Sequence, residues 1–375
     1  MNVLPLGGVP RDYAWGSTSA IQQLLGLPED GRPIAELWFG AHPDDPSPVP
    51  GGSGALDALI DSDPDGLLGA PTVERFGPRL PYLVKVLAAS QALSIQVHPT
   101  REQAAEGFAR EDAAGIPRDA ADRNYRDANH KPELLCALTP FDALCGFRPV
   151  AATLALLAEL DVPELDFVAD LLRGDDPLRA AFTALLSHED PEPVVAAVAR
   201  RVADAADGPL YAARLAAGDA PGDVGVLLTL LLNYVRLEPG EAIYLGAGNV
   251  HAYLRGMGVE IMANSDNVLR CGLTPKHVDV PELLKITDFS PLAEPRWTTV
   301  GHRFDAPVPD FALTALDIDE PVGLDDPGPC IVLCTSAQIA VGDVAVPAGH
   351  APFVPAGLRT TISGIGEAFV ASVGL

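Results

Sequence analysis

The period of the apolar residues changes twice along this chain. From residue 149 to 235, apolar side chains recur every three to four positions in segments rich in Ala and Leu, for example VAATLALLAEL. This spacing is typical of amphipathic helices that bury one face. On both sides of this block, strand-length apolar runs are separated by turns, and the chain contains 36 Pro and 35 Gly. The sequence therefore predicts a mainly β protein with one helical insertion.

A repeated spacing of Gly, Pro and His indicates how the strands are arranged. Gly240 is followed after five residues by Gly246-Ala-Gly248 and, after two more, by His251. The same spacing returns between Gly349 and Thr360, with Thr in the place of the His. This is the turn-and-strand signature of half of a cupin-type β-barrel. We therefore predict two cupin-type (jelly-roll) β-barrels plus an α-helical domain, with a metal only in the barrel that keeps the His.

These patterns divide the chain into three predicted parts. Residues 1–148 together with 236–290 form the metal-binding catalytic barrel, 149–235 the helical insertion, and 291–375 a C-terminal cupin-like barrel without a metal site. A chain of 375 residues is long enough for two or three domains around a large core.

The charge balance limits the partners of this protein. The net charge is −26 and the isoelectric point is near 4.5. Nucleic acids and anionic membrane surfaces bind basic faces, so we expect neither as a partner. An anionic small molecule would require a local basic pocket, which gives weight to the few Lys and Arg beside the motifs described below.

Cysteine use and the N-terminal segment indicate a cytoplasmic protein. The number of cysteines, five, is odd and no CxxC pair occurs, so neither a disulfide framework nor a Cys-rich zinc finger is predicted. The N-terminal residues lack the basic segment and apolar run of a secretory signal. No apolar stretch reaches membrane-spanning length. We take the protein to be a cytoplasmic monomer.

A set of polar residues on strand-like segments predicts a metal site. Gln96 and His98 lie two positions apart, as do Lys131 and Glu133, and residues i and i+2 of a strand face the same side. With His251, three strands could direct two imidazoles, one carboxylate and one amide oxygen into one barrel interior. This borderline donor set suits Zn²⁺.

The segments that carry these residues resemble a known family. LSIQVHP, YRDANHKPELLCAL and the long run VHAYLRGMGVEIMANSDNVLRCGLTPKH resemble the class I mannose-6-phosphate isomerases, also called phosphomannose isomerases. DYAWGS and AELWFGAHPDDPS are similar to the opening motifs of that family. The resemblance extends to about residue 290, whereas the helical insertion and the C-terminal barrel match in layout more than in motif.

The resemblance implies a site and a reaction. The reaction is the interconversion of mannose 6-phosphate and fructose 6-phosphate through a cis-enediol. The substrate is therefore a small-molecule sugar phosphate. The reaction is a step in carbohydrate metabolism that leads towards GDP-mannose biosynthesis. One zinc per chain would be held by Gln96, His98, Glu133 and His251. The substrate phosphate would be held by Ser94, Lys276 and Arg270, of which Arg270 is also the active-site arginine of the family.

One position departs from the pattern of the family. Many members follow Gln-x-His-Pro with Asp-Lys, whereas this chain has Thr100-Arg101. The basic residue is retained, so we expect at most a change in substrate contacts.

Proton transfer needs a base beside the carbonyl carbon, and several residues are candidates. Lys131 is two residues from Glu133, and Glu260 lies on the strand after His251. Asp266 and His130 are candidates for a part in ring opening. Arg270, as a fork that is always protonated, could stabilise negative charge on the intermediate.

Two other functions fit parts of the same pattern. A metal-dependent cupin oxygenase would hold Fe(II) with two His and a carboxylate, although the Gln and the basic rim suit it less well. A non-enzymatic sugar-phosphate-binding cupin would bind the ligand without isomerising it. Retention of Arg270 and Lys276 beside all four metal ligands favours an active enzyme.

Overall fold

Two antiparallel sheets and a block of helices make up the structure, a computed structural model that describes residues 2–51, 54–299 and 302–374. The strands are β1 (Leu4–Leu6), β2 (Val9–Arg11), β3 (Glu36–Gly40), β4 (Tyr82–Ala89), β5 (Ile95–Val97), β6 (Glu133–Ala137), β7 (Phe141–Phe147), β8 (Leu232–Leu237), β9 (Ala242–Leu245), β10 (His251–Ala263), β11 (Leu269–Gly272), β12 (Arg296–Trp297), β13 (Arg303–Phe304), β14 (Ala312–Ile318), β15 (Val322–Leu324), β16 (Cys330–Val341), β17 (Val344–Pro347), β18 (Ala351–Val354) and β19 (Thr360–Ser372).

The helices are concentrated between β7 and β8. The α-helices are α1 (Ala20–Leu24), α2 (Leu56–Ser62), α3 (Pro64–Leu68), α4 (Ala70–Phe76), α5 (Arg101–Ala113), α6 (Val150–Leu160), α7 (Asp166–Leu171), α8 (Pro177–Leu186), α9 (Glu192–Arg201), α10 (Gly208–Asp219), α11 (Gly225–Leu228) and α12 (Val280–Ile286). Two 3₁₀ helices span Pro163–Leu165 and Thr229–Leu231. None of the helices in the described part of the chain is both long enough and apolar enough to cross a membrane.

The larger sheet is organised around β10. Its main order is β12-β9-β6-β10-β4-β3-β2, and β5, β7, β8 and β11 complete it. The first residues of β10 pair with β5 and β7, whereas the part from Gly256 onwards pairs with β4 and β6. One long strand therefore joins two parts of the sheet, and both parts carry candidate ligands: His251 and Gln96 in the first, Glu133 in the second.

The smaller sheet repeats the central feature of the larger one. Its order is β1-β18-β16-β19-β14-β13, with β15 on β19 and β17 on β16. Each sheet has a long strand, β10 or β19, that follows a four-residue strand and a tight turn. The turn glycines Gly248 and Gly357 have φ values of 78° and 70°, a left-handed conformation that favours glycine. The repeat in the sequence thus corresponds to a repeat of structure, and the predicted mainly β fold with two cupin-type halves and a helical insertion is confirmed.

The helical block supports the strands that carry the site. Its apolar faces pack in one core cluster with Ile95 and Val97 of β5 and Leu269 of β11. The block predicted as helical over residues 149–235 contains α6, α7, α8, α9, α10 and α11. The boundaries of the three domains remain a prediction. Strand β8 spans the predicted boundary at residue 235, and the pairs β1–β18 and β12–β9 each join strands from two different predicted parts.

A continuous apolar core joins the two sheets. Val84 of β4 packs in the same cluster as Phe353 and Phe369 of the smaller sheet. The hydroxyl of Tyr82 lies 3.1 Å from the carbonyl oxygens of both Pro329 and Ala371 across this interface. The smaller sheet is therefore packed against the sheet that carries the candidate site.

The five cysteines are buried and free.

Candidate metal centre and active site

Strand register brings the predicted metal ligands together. On β5, Gln96 pairs with His251 of β10 on one side and with Arg270 of β11 on the other. Glu133, the first residue of β6, lies opposite Met262 near the other end of β10. His98 follows β5 directly. The side chains of His98, Glu133 and His251 converge although they are far apart in the sequence.

The three convergent side chains fit a metal ion. The Nε2 atom of His98 lies 3.4 Å from Oε1 of Glu133, and Nε2 of His251 lies 3.3 Å from Oε2 of Glu133. All three residues are buried, and their ligand atoms lie within 4.8 Å of one another. His98 Nε2 and Glu133 Oε2 have no hydrogen-bond partner within the described residues. Buried polar atoms without a partner are costly, and a cation bound between them would satisfy both.

Backbone carbonyl groups orient both imidazoles towards this point. The Nδ1 atom of His98 lies 2.8 Å from the carbonyl oxygen of Asn267, and Nδ1 of His251 lies 2.9 Å from that of Asn249. A carbonyl oxygen can only accept, so each Nδ1 carries the proton. Each Nε2 then presents a lone pair to the centre, an arrangement typical of histidines that bind metals.

Gln96 completes the set of four predicted ligands. Its Nε2 atom lies 3.3 Å from Nε2 of His251. The Gln96 amide donates a hydrogen bond to the free lone pair of the imidazole in this arrangement. Rotation of the amide by half a turn would present Oε1, the oxygen donor that a metal requires.

Charges around Glu133 keep it ionised. Burial opposes ionisation, but nearby positive charge, chiefly that of Lys131, outweighs it and holds the pKa of Glu133 well below its usual value. The ammonium group of Lys131 lies 3.1 Å from Oε1 of Glu133. The carboxylate is therefore available to a cation at neutral pH without competition from a proton.

The zinc-free protein is expected to lose stability in mild acid through His98. Burial lowers the pKa of His98 to about 4, although neighbouring Glu133 favours the charged ring and Lys131 and His251 oppose it. In the unfolded chain the pKa returns to about 6.5, so between these values only the unfolded state binds the proton. Stability therefore falls as the pH falls through this window.

We expect protonation of His98 in the unfolded chain to lower the free energy of unfolding by about 2 kcal/mol between pH 6.5 and pH 5. Urea denaturation of chelator-treated protein at the two pH values would measure this difference. A His98→Gln variant should lose correspondingly less, and an equal loss in the variant and the unaltered protein would contradict the assignment to His98.

A second buried polar cluster borders the metal centre. Glu260 accepts a hydrogen bond of 2.7 Å from the Tyr253 hydroxyl, and its other oxygen lies 3.1 Å from the ammonium group of Lys85. Lys85 also faces Glu36 at 3.5 Å. Burial, together with the charges of Glu133 and Glu36, raises the pKa of Glu260. The predicted catalytic residue Glu260 thus lies beside the centre with both of its oxygens engaged.

Sequence reasoning missed Lys85, although the sequence contained a signal for it. Lys85 is the one charged residue of the strand YLVKVLAA, and it is buried. Lysine is rarely buried unless it is paired. A lysine in the middle of such a strand therefore predicts a buried carboxylate partner, here Glu36 and Glu260.

A basic rim borders a cavity of about 990 Å³ that is also lined by Gln96 and Glu133, two of the predicted metal ligands. Ser94, Arg270 and Lys276 all line this cavity, as predicted for a phosphate site, and so does Arg126. Burial and the charge of Arg126 lower the pKa of Arg270, and the charge of Arg270 lowers the pKa of Lys276. Among the residues that the structure describes, no carboxylate pairs with these cations. The rim is therefore a concentration of positive charge.

The two remaining candidates occupy different places. Asp266 lines the cavity at its junction with a neighbouring cavity of about 710 Å³, and its carboxylate lies 3.6 Å from Nε2 of buried His42. His130 is not among the described residues that line either cavity. Its imidazole instead contacts Arg101 and Asp310. The structure thus brings Asp266 to the site and places His130 behind it.

Fold and site together define a metal-binding cupin with a basic cavity beside the metal centre. The sequence profile of the phosphomannose isomerase type I catalytic domain matches residues 3–150. The mannose-6-phosphate isomerase of Escherichia coli is 42% identical over 343 residues, which cover 88% of this chain and 87% of that protein. The chain belongs to the type I phosphomannose isomerase family.

Solved structures agree with this assignment over the whole chain. The crystal structure of mannose 6-phosphate isomerase from Salmonella typhimurium bound to fructose 6-phosphate and zinc has a TM-score of 0.93 and 37% identity, and the match covers 100% of both chains. A zinc-bound mannose 6-phosphate isomerase has a TM-score of 0.92 and 36% identity, again over 100% of both chains. The predicted family resemblance is confirmed.

Proposed function

We propose that this protein interconverts mannose 6-phosphate and fructose 6-phosphate at a zinc site. One observation carries the proposal: Glu133 of the buried His-Glu-His centre lines the same cavity as the basic rim. Within the described residues, His98 Nε2 and Glu133 Oε2 have no hydrogen-bond partner, and no carboxylate pairs with the cations of the rim. Relatives that share most of the chain are mannose-6-phosphate isomerases, and one of them was solved with fructose 6-phosphate and zinc.

The metal ligands proposed are those that the sequence predicts. One zinc per chain would be held by Gln96, His98, Glu133 and His251. When bound, zinc supplies a positive charge that can polarise substrate oxygens and stabilise an enediolate. Phosphate binding and proton transfer are carried out by side chains of the protein.

The basic rim is the proposed site for the substrate phosphate. Arg270 and Lys276 provide the charge, and Ser94 provides a hydroxyl donor on the same cavity wall. Arg126 lies close enough to influence both cations and extends the rim. An anion bound here would relieve the mutual repulsion of the cations, so the rim favours a phosphate over a neutral sugar.

Proton transfer is assigned to the residues between the rim and the ligands. Isomerisation through a cis-enediol moves one proton between C1 and C2 and another between O1 and O2. Lys131 is the stronger candidate for proton transfer, because its amino group lies at a metal ligand, whereas both oxygens of Glu260 are engaged by Tyr253 and Lys85. Asp266, at the edge of the cavity, is proposed to assist ring opening. Arg270 stabilises negative charge on the intermediate.

The alternative functions have less support. An oxygenase needs open coordination positions for oxygen and its substrate, whereas four predicted protein ligands converge on this centre. A binding protein without activity has no need of the buried Lys85–Glu260 and Lys131–Glu133 pairs beside the metal. The 42% identity to an isomerase over most of the chain favours the enzyme.

Metal removal tests the proposal directly. Purified protein should convert mannose 6-phosphate to fructose 6-phosphate, lose turnover after chelation and regain it when zinc is added back. The readout is fructose 6-phosphate formation in a coupled assay, with zinc content measured in parallel. Undiminished turnover in metal-free protein would contradict the zinc role, and a folded, zinc-loaded protein without turnover would contradict the isomerase assignment.

The cellular setting proposed is the cytoplasm. Five buried thiols without a disulfide are typical of a reducing compartment. We further propose that the enzyme works as a monomer in carbohydrate metabolism, on the path towards GDP-mannose. The excess of acidic residues supports a small-molecule substrate rather than nucleic acid or a membrane.

A further inference from the structure

A buried carboxylate of the smaller half of the protein contacts the segments that carry the metal ligands. Asp310 lies just before β14 and is 1% exposed. Its Oδ1 atom lies 3.1 Å from a guanidinium nitrogen of Arg101, and its Oδ2 atom lies 3.0 Å from Nε2 of His130. The same guanidinium nitrogen lies 2.6 Å from His130 Nε2. Three side chains from three distant segments therefore form one compact cluster.

Arg101 and His130 of this cluster each lie three residues from a predicted metal ligand. Arg101 follows the predicted ligand His98 by three residues, at the start of α5. His130 precedes the predicted ligand Glu133 by three residues and is followed directly by Lys131. Asp310 thus holds together the two segments that bring a ligand and the proposed proton-transfer residue to the centre. The basic residue at position 101 contacts Asp310, and among the described lining residues it belongs to the neighbouring cavity of about 710 Å³ rather than to the larger one.

Electrostatics make Asp310 the essential member of the cluster. Its carboxylate is the shared negative partner of a guanidinium and an imidazole that approach each other closely. Without that charge, Arg101, whose side chain is partly exposed, and the more deeply buried His130 would lose the carboxylate that both of them contact. The two side chains would separate, and the segments that carry them would move with them.

We propose that Asp310 is a positioning residue for the isomerase reaction, acting through Arg101 and His130 on the alignment of Lys131 with the metal ligands. This inference rests on the proposed function. It gives the half of the protein that contains the smaller sheet a part in catalysis. Displacement of a reacting group by about 1 Å can cost up to a hundredfold in rate, so a contact outside the cavity can control turnover.

The test compares Asp310→Asn with a matched control across the same interface. Tyr82→Phe removes the hydroxyl that contacts Pro329 and Ala371, so it weakens the packing of the two sheets without touching the cluster. We expect Asp310→Asn to lower kcat by at least about tenfold, with KM within about threefold and zinc content unchanged. Tyr82→Phe should lower the melting temperature and leave kcat unchanged.

A second variant, Arg101→Gln, tests the same cluster if Asp310→Asn does not fold. The Arg101 side chain is 42% exposed, so Arg101→Gln should fold normally. It should lower kcat in the same direction, and the double variant should be no slower than the worse single variant, because both changes break one cluster.

Two results would overturn the inference. In the first, both variants keep kcat per bound zinc within about twofold of the unaltered protein. In the second, turnover falls only in proportion to the zinc that the variants have lost. The unaltered protein is measured in the same series. An inactive, zinc-loaded unaltered protein would overturn the proposed function and the inference with it. An active unaltered protein with fully active variants would overturn the inference alone.

Discussion

Replacing His251 by Ala is expected to abolish zinc binding and turnover together. His251 is fully buried, and its Nε2 atom faces both Glu133 Oε2 and the Gln96 amide at 3.3 Å. Truncation leaves a cavity that is lined by Glu133 and His98 and lacks one of the two imidazoles. A three-donor remnant binds zinc far more weakly, because each protein ligand contributes to both affinity and geometry.

The expected loss of turnover is on the order of a thousandfold or more, since charge stabilisation by a metal is worth several kcal/mol and each 1.4 kcal/mol is about a factor of ten. Zinc content by elemental analysis and turnover of mannose 6-phosphate are the two measurements. His350→Ala is the control, because His350 is an exposed histidine of the smaller sheet and should retain both zinc and activity. Full activity in a His251→Ala protein shown to be metal-free would remove the zinc proposal.

Replacing Arg270 by Ala is expected to retain zinc and to abolish turnover. Arg270 pairs in register with Gln96 but contributes no ligand to the centre. Its guanidinium lines the cavity beside Lys276 and Arg126, where burial and the nearby charge of Arg126 lower its pKa. This repulsion is relieved by an anionic substrate or intermediate, so the contribution of Arg270 appears only when the substrate is present.

A fall of roughly a hundredfold to a thousandfold in kcat/KM is expected, the range found when one charge-stabilising donor is removed. Steady-state kinetics and zinc content would measure it. Arg270→Lys should recover part of the loss, since it restores the charge without the planar fork. Arg359→Ala, at an exposed arginine paired with Asp325, is the matched control and should have no effect. Loss of zinc or of the native fold in Arg270→Ala would show that the residue is structural.

Local spacing in the sequence predicts a set of metal ligands, and the structure brings His98, Glu133 and His251 of that set together. Gln96 and His98 fall on and just after β5, and His251 begins β10 directly after the turn glycines. These relations hold within a few residues, where strand and turn geometry depend on the backbone alone. The same reasoning accounts for the repeat that places Thr360 at the start of β19, in the position of His251.

Contacts over long distances in the sequence were not predictable in the same way. Lys85 was missed because its carboxylate partners, Glu36 and Glu260, lie on two different strands. His130 was expected at the substrate, whereas its imidazole is held by Asp310 from 180 residues away. Periodicity within one segment carries no information about which segment packs against it.

The sequence by itself determined the mainly β fold with its helical block, and it offered the candidate metal donors and the basic residues beside them, because these follow from the periodicity and chemistry of short segments. Tertiary structure alone decided three further features: the carbonyl of Asn267 that orients His98, the convergence of Arg126 with Arg270 and Lys276, and the reach of Asp310 to Arg101 and His130. Each depends on the packing of one sheet against another or on strand register across the sheet. Those relations are set by the burial of the shared core rather than by any local pattern.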